Sequence, residues 1–257
     1  MQPRDLSAHP EYRAGRGVEA VARELGTAPE DLIALASNEN ALGPSPRAVE
    51  AIRSGAEEAH RYPKAVHVDL TAAIAEDWGV APAQVWLANG GDGALDYLAR
   101  AMLSPGDAVL VPEPGFAYYE MAARFHHGRV RRWSLPRADG FAIDPERVLD
   151  AYNGERMVFL TSPHNPTGSR CDVDTVRAIA ARTHEDTLVV IDEAYQEFAD
   201  GPSAATLLDE RDDLAVLRTF SKAYGLAGLR LGYALVPGDW AEAYARVNTP
   251  FAANTIA

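Results

Sequence analysis

A mostly parallel α/β sheet with helices on both faces is the fold class this sequence predicts, and three observations carry it. Short β-like apolar runs alternate with longer helical stretches, the pattern of strands joined by helical crossovers. The run 187–191, Thr-Leu-Val-Val-Ile, shows no polar alternation, as expected of a strand buried on both faces. With 257 residues and 47% hydrophobic content, the chain can bury the core of one large domain, or of one domain plus an arm.

In chain order, residues 18–25 read as a short amphipathic helix, and 37–46 are turn-rich and irregular. Residues 1–45 are therefore expected to form an N-terminal arm and 46–257 a large domain. Residues 85–88 form a first strand that ends at Asn89-Gly90-Gly91-Asp92-Gly93, and 94–103 follow as a helix. A second strand, 107–111, is expected to stop at Pro112 and Pro114. Strands at 129–135 and 157–160 each follow a helical stretch, then come 187–191, 214–217 and 231–236, about seven strands in all, with 239–247 as a following helix. The last ten residues are semi-apolar without a stop signal and read as interrupted.

Composition narrows the function. No apolar run approaches a membrane span, and Met1-Gln2-Pro3-Arg4-Asp5-Leu6 lacks the basic-then-apolar order of a signal peptide, so a cytoplasmic protein is expected. Cys171 is the only cysteine; it forms no internal disulfide, makes no metal site alone, and reads as a small packing or surface residue. A formal charge of −13 argues against nucleic acid and favours a small-molecule partner. Of 24 basic residues only Lys64 and Lys222 are lysine, against 37 acidic ones, a surface suited to high salt, where screening relieves self-repulsion.

Lys222 stands in the glycine-punctuated segment Thr219-Phe220-Ser221-Lys222-Ala223-Tyr224-Gly225-Leu226-Ala227-Gly228-Leu229-Arg230-Leu231-Gly232-Tyr233. An amine that must form a Schiff base needs such a setting, where desolvation and neighbouring cations lower its pKa. Ser221 offers a hydroxyl, and Arg230 a planar fork suited to a phosphate dianion. An isolated Ser-Lys pair would be a solvated strand-to-loop junction; the extended S-K-x-x-G-L-A-G-x-R-x-G-Y pattern is more specific. It resembles the cofactor-lysine segment of fold-type I pyridoxal-phosphate (PLP) enzymes, in particular the histidinol-phosphate aminotransferase family.

In open α/β sheets, ligands sit beyond the carboxyl ends of the strands, and the residues there extend the resemblance. Asp192 closes the 189–191 run; a carboxylate at the end of a buried strand costs several kcal/mol unless it meets a cation. A lone Asp is usually a helix cap or a surface group, but Asp192-Glu193-Ala194-Tyr195 resembles the family's cofactor signature, which implies that Asp192 keeps the PLP ring nitrogen protonated. The resemblance further implies that Tyr195, and Asn165 in Pro163-His164-Asn165-Pro166-Thr167-Gly168, reach the cofactor's phenolic oxygen. His164 is expected to be a supporting or exposed residue. Gly90-Gly91-Asp92-Gly93, between a strand and a helix, suits an anion but lacks G-x-G-x-x-G or Walker A spacing. By resemblance, the Gly91 and Asp92 amides, Ser221 and Arg230 bind the PLP phosphate; the family often carries Glu where this chain has Gly93. Phe116 falls where the family stacks an aromatic ring on the cofactor, although a core role is equally open. Tyr62, in an R-Y-P motif, implies a homodimer in which that tyrosine reaches the neighbouring subunit's phosphate. Asn38 and Asn40 match a substrate-side S-N-E-N segment, with Ala41 in place of the usual proline.

The implied activity is PLP-dependent amino transfer from L-histidinol phosphate to 2-oxoglutarate, yielding glutamate, in histidine biosynthesis. Lys222 would hold the cofactor and act as general acid-base group. An aromatic or other amino-acid aminotransferase and an amino-acid-phosphate decarboxylase remain alternatives. So does a truncated, non-catalytic PLP-binding fragment, because the family's C-terminal domain, with its anion-clamping arginine, has no counterpart in the expected 46–257 domain.

Overall fold

The computed structural model describes residues 6–7, 9–12, 15–63 and 67–257; Lys64 lies outside the described residues. Its centre is a seven-stranded sheet: β1 (Val85–Asn89), β2 (Ala108–Glu113), β3 (Arg129–Ser134), β4 (Met157–Thr161), β5 (Leu188–Asp192), β6 (Leu214–Thr219) and β7 (Leu231–Leu235). Their order across the sheet is β1-β7-β6-β5-β4-β2-β3. Only β7 runs antiparallel to its neighbours; the pairs β2–β3, β2–β4, β4–β5 and β5–β6 are parallel. Around the sheet lie α1 (Val18–Leu25), α2 (Pro46–Gly55), α3 (Val68–Trp78), α4 (Gly90–Met102), α5 (Tyr118–Phe125), α6 (Pro145–Ala151), α7 (Val173–Ala180) and α8 (Ala241–Val247).

Alternate strand residues feed two cores. Val158, Leu160, Val189, Ile191 and Val216 pack with residues of α3, α6 and α7. Met157, Phe159, Leu188, Val190 and Leu217 pack with α4, α5 and α8 on the other face. Coverage of both faces is why β4, β5, β6 and β7 are buried along their whole length and why their sequences carry no polar alternation.

Several boundaries differ from the sequence expectation. Strand β2 continues through Pro112 to Glu113. Odd-numbered peptide groups of β2 face β3, as the bonds from Arg129 N to Asp107 O and Leu135 N to Glu113 O show, whereas Ala108 O accepts from Arg156 N on the β4 side. Pro112 therefore turns its missing N–H toward β4, where the ladder already ends at Leu110 opposite Val158, so the strand loses no bond there. Helix α4 begins at Gly90 rather than 94: the glycine-rich segment is the helix's own first turn. The last helix starts at Ala241, not 239.

Because β1, β2, β4, β5 and β6 all point the same way, the residues that follow them emerge along one sheet edge. Strand β7, entered at Leu231, starts from that same edge, which brings Arg230 to it.

Candidate active site

A cavity of about 320 Å³ opens at this edge, lined by Asn38, Gly91, Asp92, Phe116, Asn165, Asp192, Tyr195, Ser221, Lys222 and Arg230. Ten of the twelve positions singled out in the sequence thus meet in one place. Asn40 stands just outside it: its Nδ2 donates to Ala223 O at 2.8 Å and its Oδ1 accepts from Leu42 N at 2.9 Å, tying residues 40–42 to the chain next to Lys222. Tyr62 is remote from the cavity, 82% exposed and stacked on Phe251 at 4.6 Å.

Lys222 follows β6, and its Nζ donates to Ser37 O at 2.9 Å and sits 5.7 Å from the centre of the Tyr195 ring. Burial holds its amine below the ordinary lysine range; Arg230 adds to this, and Glu39, Asp92 and Asp192 oppose it.

The first turn of α4 carries free backbone N–H groups, and its N-cap residue Asn89 makes no side-chain capping bond to them. These groups and the positive end of the helix dipole face the cavity through Gly91 and Asp92. Arg230 adopts a left-handed backbone, φ 51°, at a cost of about 1–2 kcal/mol. This conformation brings its guanidinium against Gly90, where any Cβ would strike Arg230 Nη2. Arg230 reaches Ser221 Oγ at 3.5 Å and Asp92 Oδ2 at 3.3 Å. Gly232 completes the fit, because a Cβ there would lie 2.6 Å from Gly90 C.

Asp192 ends β5 with only 5% of its surface exposed. Its Oδ2 accepts from Tyr119 Oη at 2.6 Å and its Oδ1 from Ala194 N at 3.0 Å. Among the described residues it has no ion-pair partner within 4.0 Å, and burial raises its pKa above the usual carboxylate range. Tyr195 Oη receives Asn38 Nδ2 at 3.0 Å and Asn165 Nδ2 at 3.5 Å. Phe116 borders the cavity with its ring edge-to-face with Tyr119 at 5.5 Å; it belongs to the pocket as well as to the packing.

Other expectations resolve by burial. His164 is buried, 2% exposed, rather than exposed; desolvation pulls its pKa down to about 4, and its Nδ1 lies 2.8 Å from Thr167 Oγ1. Cys171 is a packing residue whose thiol burial pushes up to about 12. Gly93 has room for a Cβ, with Ala88 Cβ 3.4 Å away. Tyr12, Ala36 and Thr219 also line the cavity; nothing in the sequence marks them.

A match to the family described as aminotransferase class I and II covers residues 30–257. Histidinol-phosphate aminotransferases of Haloarcula marismortui and Natronomonas pharaonis are each 65% identical over the whole chain, which spans 71% and 72% of their lengths. The chain belongs to the histidinol-phosphate aminotransferase family. Histidinol-phosphate aminotransferase from Sinorhizobium meliloti in complex with pyridoxal-5'-phosphate superposes with a TM-score of 0.83 at 32% identity, over 94% of this chain and 66% of that one. Aspartate aminotransferase from Thermus thermophilus with maleate gives 0.81 at 29% identity, over 93% and 66%.

This membership makes the chain a PLP-dependent aminotransferase, and its site fits that cofactor. The α4 amides, Ser221 and Arg230 suit a phosphate, the buried Asp192 has no ion-pair partner among the described residues, Asn165 and Tyr195 offer donors to an oxygen, and Lys222 is an amine of lowered basicity.

Proposed function

We propose that the protein transfers the amino group of L-histidinol phosphate to 2-oxoglutarate in histidine biosynthesis, as a cytoplasmic homodimer. The observation that carries this reading is the convergence of Lys222, Asp192, Asn165, Tyr195 and Arg230 on one cavity, in a chain 65% identical to proteins named for that reaction.

The α4 amides of Gly91 and Asp92, with Ser221 and Arg230, would anchor the cofactor phosphate. Asp192 would supply the negative charge that keeps the ring nitrogen protonated, and Asn165 and Tyr195 would hold the phenolic oxygen by hydrogen bonds. Phe116 limits solvent at the pocket wall. When bound, the cofactor supplies an electron sink for a carbanion at the substrate Cα. Lys222 Nζ would hold the cofactor, and as a free amine it would act as the general base that takes the proton from the substrate Cα and as the acid that returns one. Asn38 and Asn40 organise the substrate side next to Tyr195 and Ala223.

The homodimer rests on the R-Y-P motif at Tyr62, whose side chain is 82% exposed in a single protomer. Among the described residues no helix is long and apolar enough to cross a membrane.

The test is amino transfer to 2-oxoglutarate from histidinol phosphate, compared with phenylalanine, tyrosine and aspartate, on the PLP-loaded protein. Preference for histidinol phosphate is expected. Equal or better turnover of a free amino acid would move the assignment to a general or aromatic aminotransferase.

A further inference from the structure

Asp192 is not held by the pocket alone. Behind it Tyr119, 1% exposed in the first turn of α5, places its hydroxyl 2.6 Å from Asp192 Oδ2 and 2.8 Å from Thr161 Oγ1. A phenol has one proton. With that proton committed to the carboxylate, the Tyr119 oxygen can only accept from Thr161, so donation runs one way, from Thr161 to Tyr119 to Asp192. Thr161 is also buried, and β4–β5 pairing sets it directly opposite Asp192. The Tyr119 ring is fixed independently, stacked on Phe159 at 4.9 Å and edge-on to Phe116 at 5.5 Å. The packing of the ring therefore holds the phenol oxygen in place between the Asp192 carboxylate and Thr161.

We propose that Tyr119, oriented by Thr161, is a positioning residue for Asp192: this directed chain of two hydroxyls keeps the carboxylate ionised and its orientation fixed at the wall of the cofactor pocket. Burial works against ionisation there and is the largest influence on Asp192, while the Tyr119 and Ala194 donors oppose it. The remaining charged or titratable groups facing it are Asp92 from α4, which also favours the protonated acid, Lys222 after β6, which favours the anion, and Tyr195. Burial and the adjacent carboxylate raise the Tyr119 pKa well above the ordinary phenol value, which favours its protonated, donating form.

The relay stands on hydroxyl geometry; its bearing on catalysis rests on the role proposed for Asp192. The experiment follows the carboxylic-acid infrared band of Asp192 in the cofactor-free, full chain, isolated by subtracting Asp192→Asn, as pH is varied. Tyr119→Phe keeps the stacked ring and removes one charge-assisted hydrogen bond, so proton affinity at Asp192 should rise about 10-fold or more. Thr161→Val, which retains the phenol, should shift the titration in the same direction by less, and it serves alone if Tyr119→Phe does not fold. A band that titrates as in the parent protein in the folded variants would overturn the proposal. PLP titration of the same samples separates the two readings: weaker binding by Tyr119→Phe supports both. Unchanged binding with a shifted band supports the relay and removes Asp192 as the partner of the ring nitrogen.

Discussion

At the scale of single residues, the two groups proposed to carry the chemistry have opposed electrostatics. Burial lowers the basicity of Lys222 and raises the pKa of Asp192. The neutral amine, which is the form that bonds to an aldehyde, is therefore populated at lower pH than in a solvated lysine. Borohydride-trapped attachment of PLP should reach its plateau at lower pH than attachment to free lysine, and peptide mapping should place the pyridoxyl group on Lys222. A pH profile identical to that of free lysine would show that the pocket does not tune the amine. Lys222→Ala should abolish the adduct and lower turnover by about 10²–10⁴-fold, the share that a general acid-base group supplies; turnover within a few-fold of the parent would refute the assignment. The sequence signalled Lys222, Ser221 and Arg230 through an extended spacing. It gave no sign of Thr161, whose meaning depends on which strand lies beside it. Nor did it single out Tyr119, whose role depends on which strand end its hydroxyl meets.

At the scale of elements, the site depends on how closely α4, β7 and the loop after β6 approach one another. Gly232 lets β7 pass the start of α4, with Gly91 N only 2.7 Å from where its Cβ would be. Gly232→Ala must push backbone apart, with an expected loss of about 1–3 kcal/mol and weaker PLP binding; a urea midpoint and PLP affinity both equal to the parent's would contradict this packing. Gly225 has the same character, with φ +67° and Gly43 O 2.5 Å from its Cβ position. Below the site, Arg218 bonds Glu193 at 3.0 Å and Glu197 at 2.6 Å and lies over Trp78 at 4.8 Å. This buried pair joins the chain after β5 to β6, and so aligns Asp192 with Lys222. Arg218→Met strands the Glu193 charge and should cost about 3–5 kcal/mol, read by denaturant unfolding.

His164 acts at the element scale too, inside the turn after β4 that the bond from Gly168 N to His164 O closes at 2.7 Å. Its pKa falls from the ordinary 6.5 to about 4 because burial disfavours the charged ring. The unfolded chain therefore binds a proton before the folded one does. The stability this neutral histidine contributes is complete above pH 6.5 and is lost as pH drops from there toward about 4. Urea midpoints measured across that window should fall less steeply for His164→Gln than for the parent; parallel slopes would exclude His164 as the source.

At the scale of the whole molecule, a formal charge of −13 makes self-repulsion a general term against compactness. Screening by salt relieves it, so the unfolding midpoint and solubility should rise in molar KCl; no change between low and high salt would dismiss a salt-adapted surface. Sedimentation of the PLP-loaded protein tests the dimer, and Tyr62→Ala should weaken both association and PLP binding if this exposed ring serves a neighbouring subunit.

What the sequence determined by itself was periodicity and short-range chemistry: an α/β sheet buried on both faces, the approximate strands, the lysine with its phosphate-binding company, and the carboxylate at a strand end. These are legible because they depend on residues close together in the chain; the phosphate-binding role proposed for the lysine's neighbours rests on that same local spacing. Tertiary structure decided what depends on strand order. It set the antiparallel β7 that returns Arg230 to the site, the passage of β2 through Pro112, the use of the glycine segment as the first turn of α4, and the alignment of Thr161 and Tyr119 behind Asp192. Each arises from contact between segments far apart in sequence, where packing and hydrogen-bond register, rather than local propensity, determine the outcome.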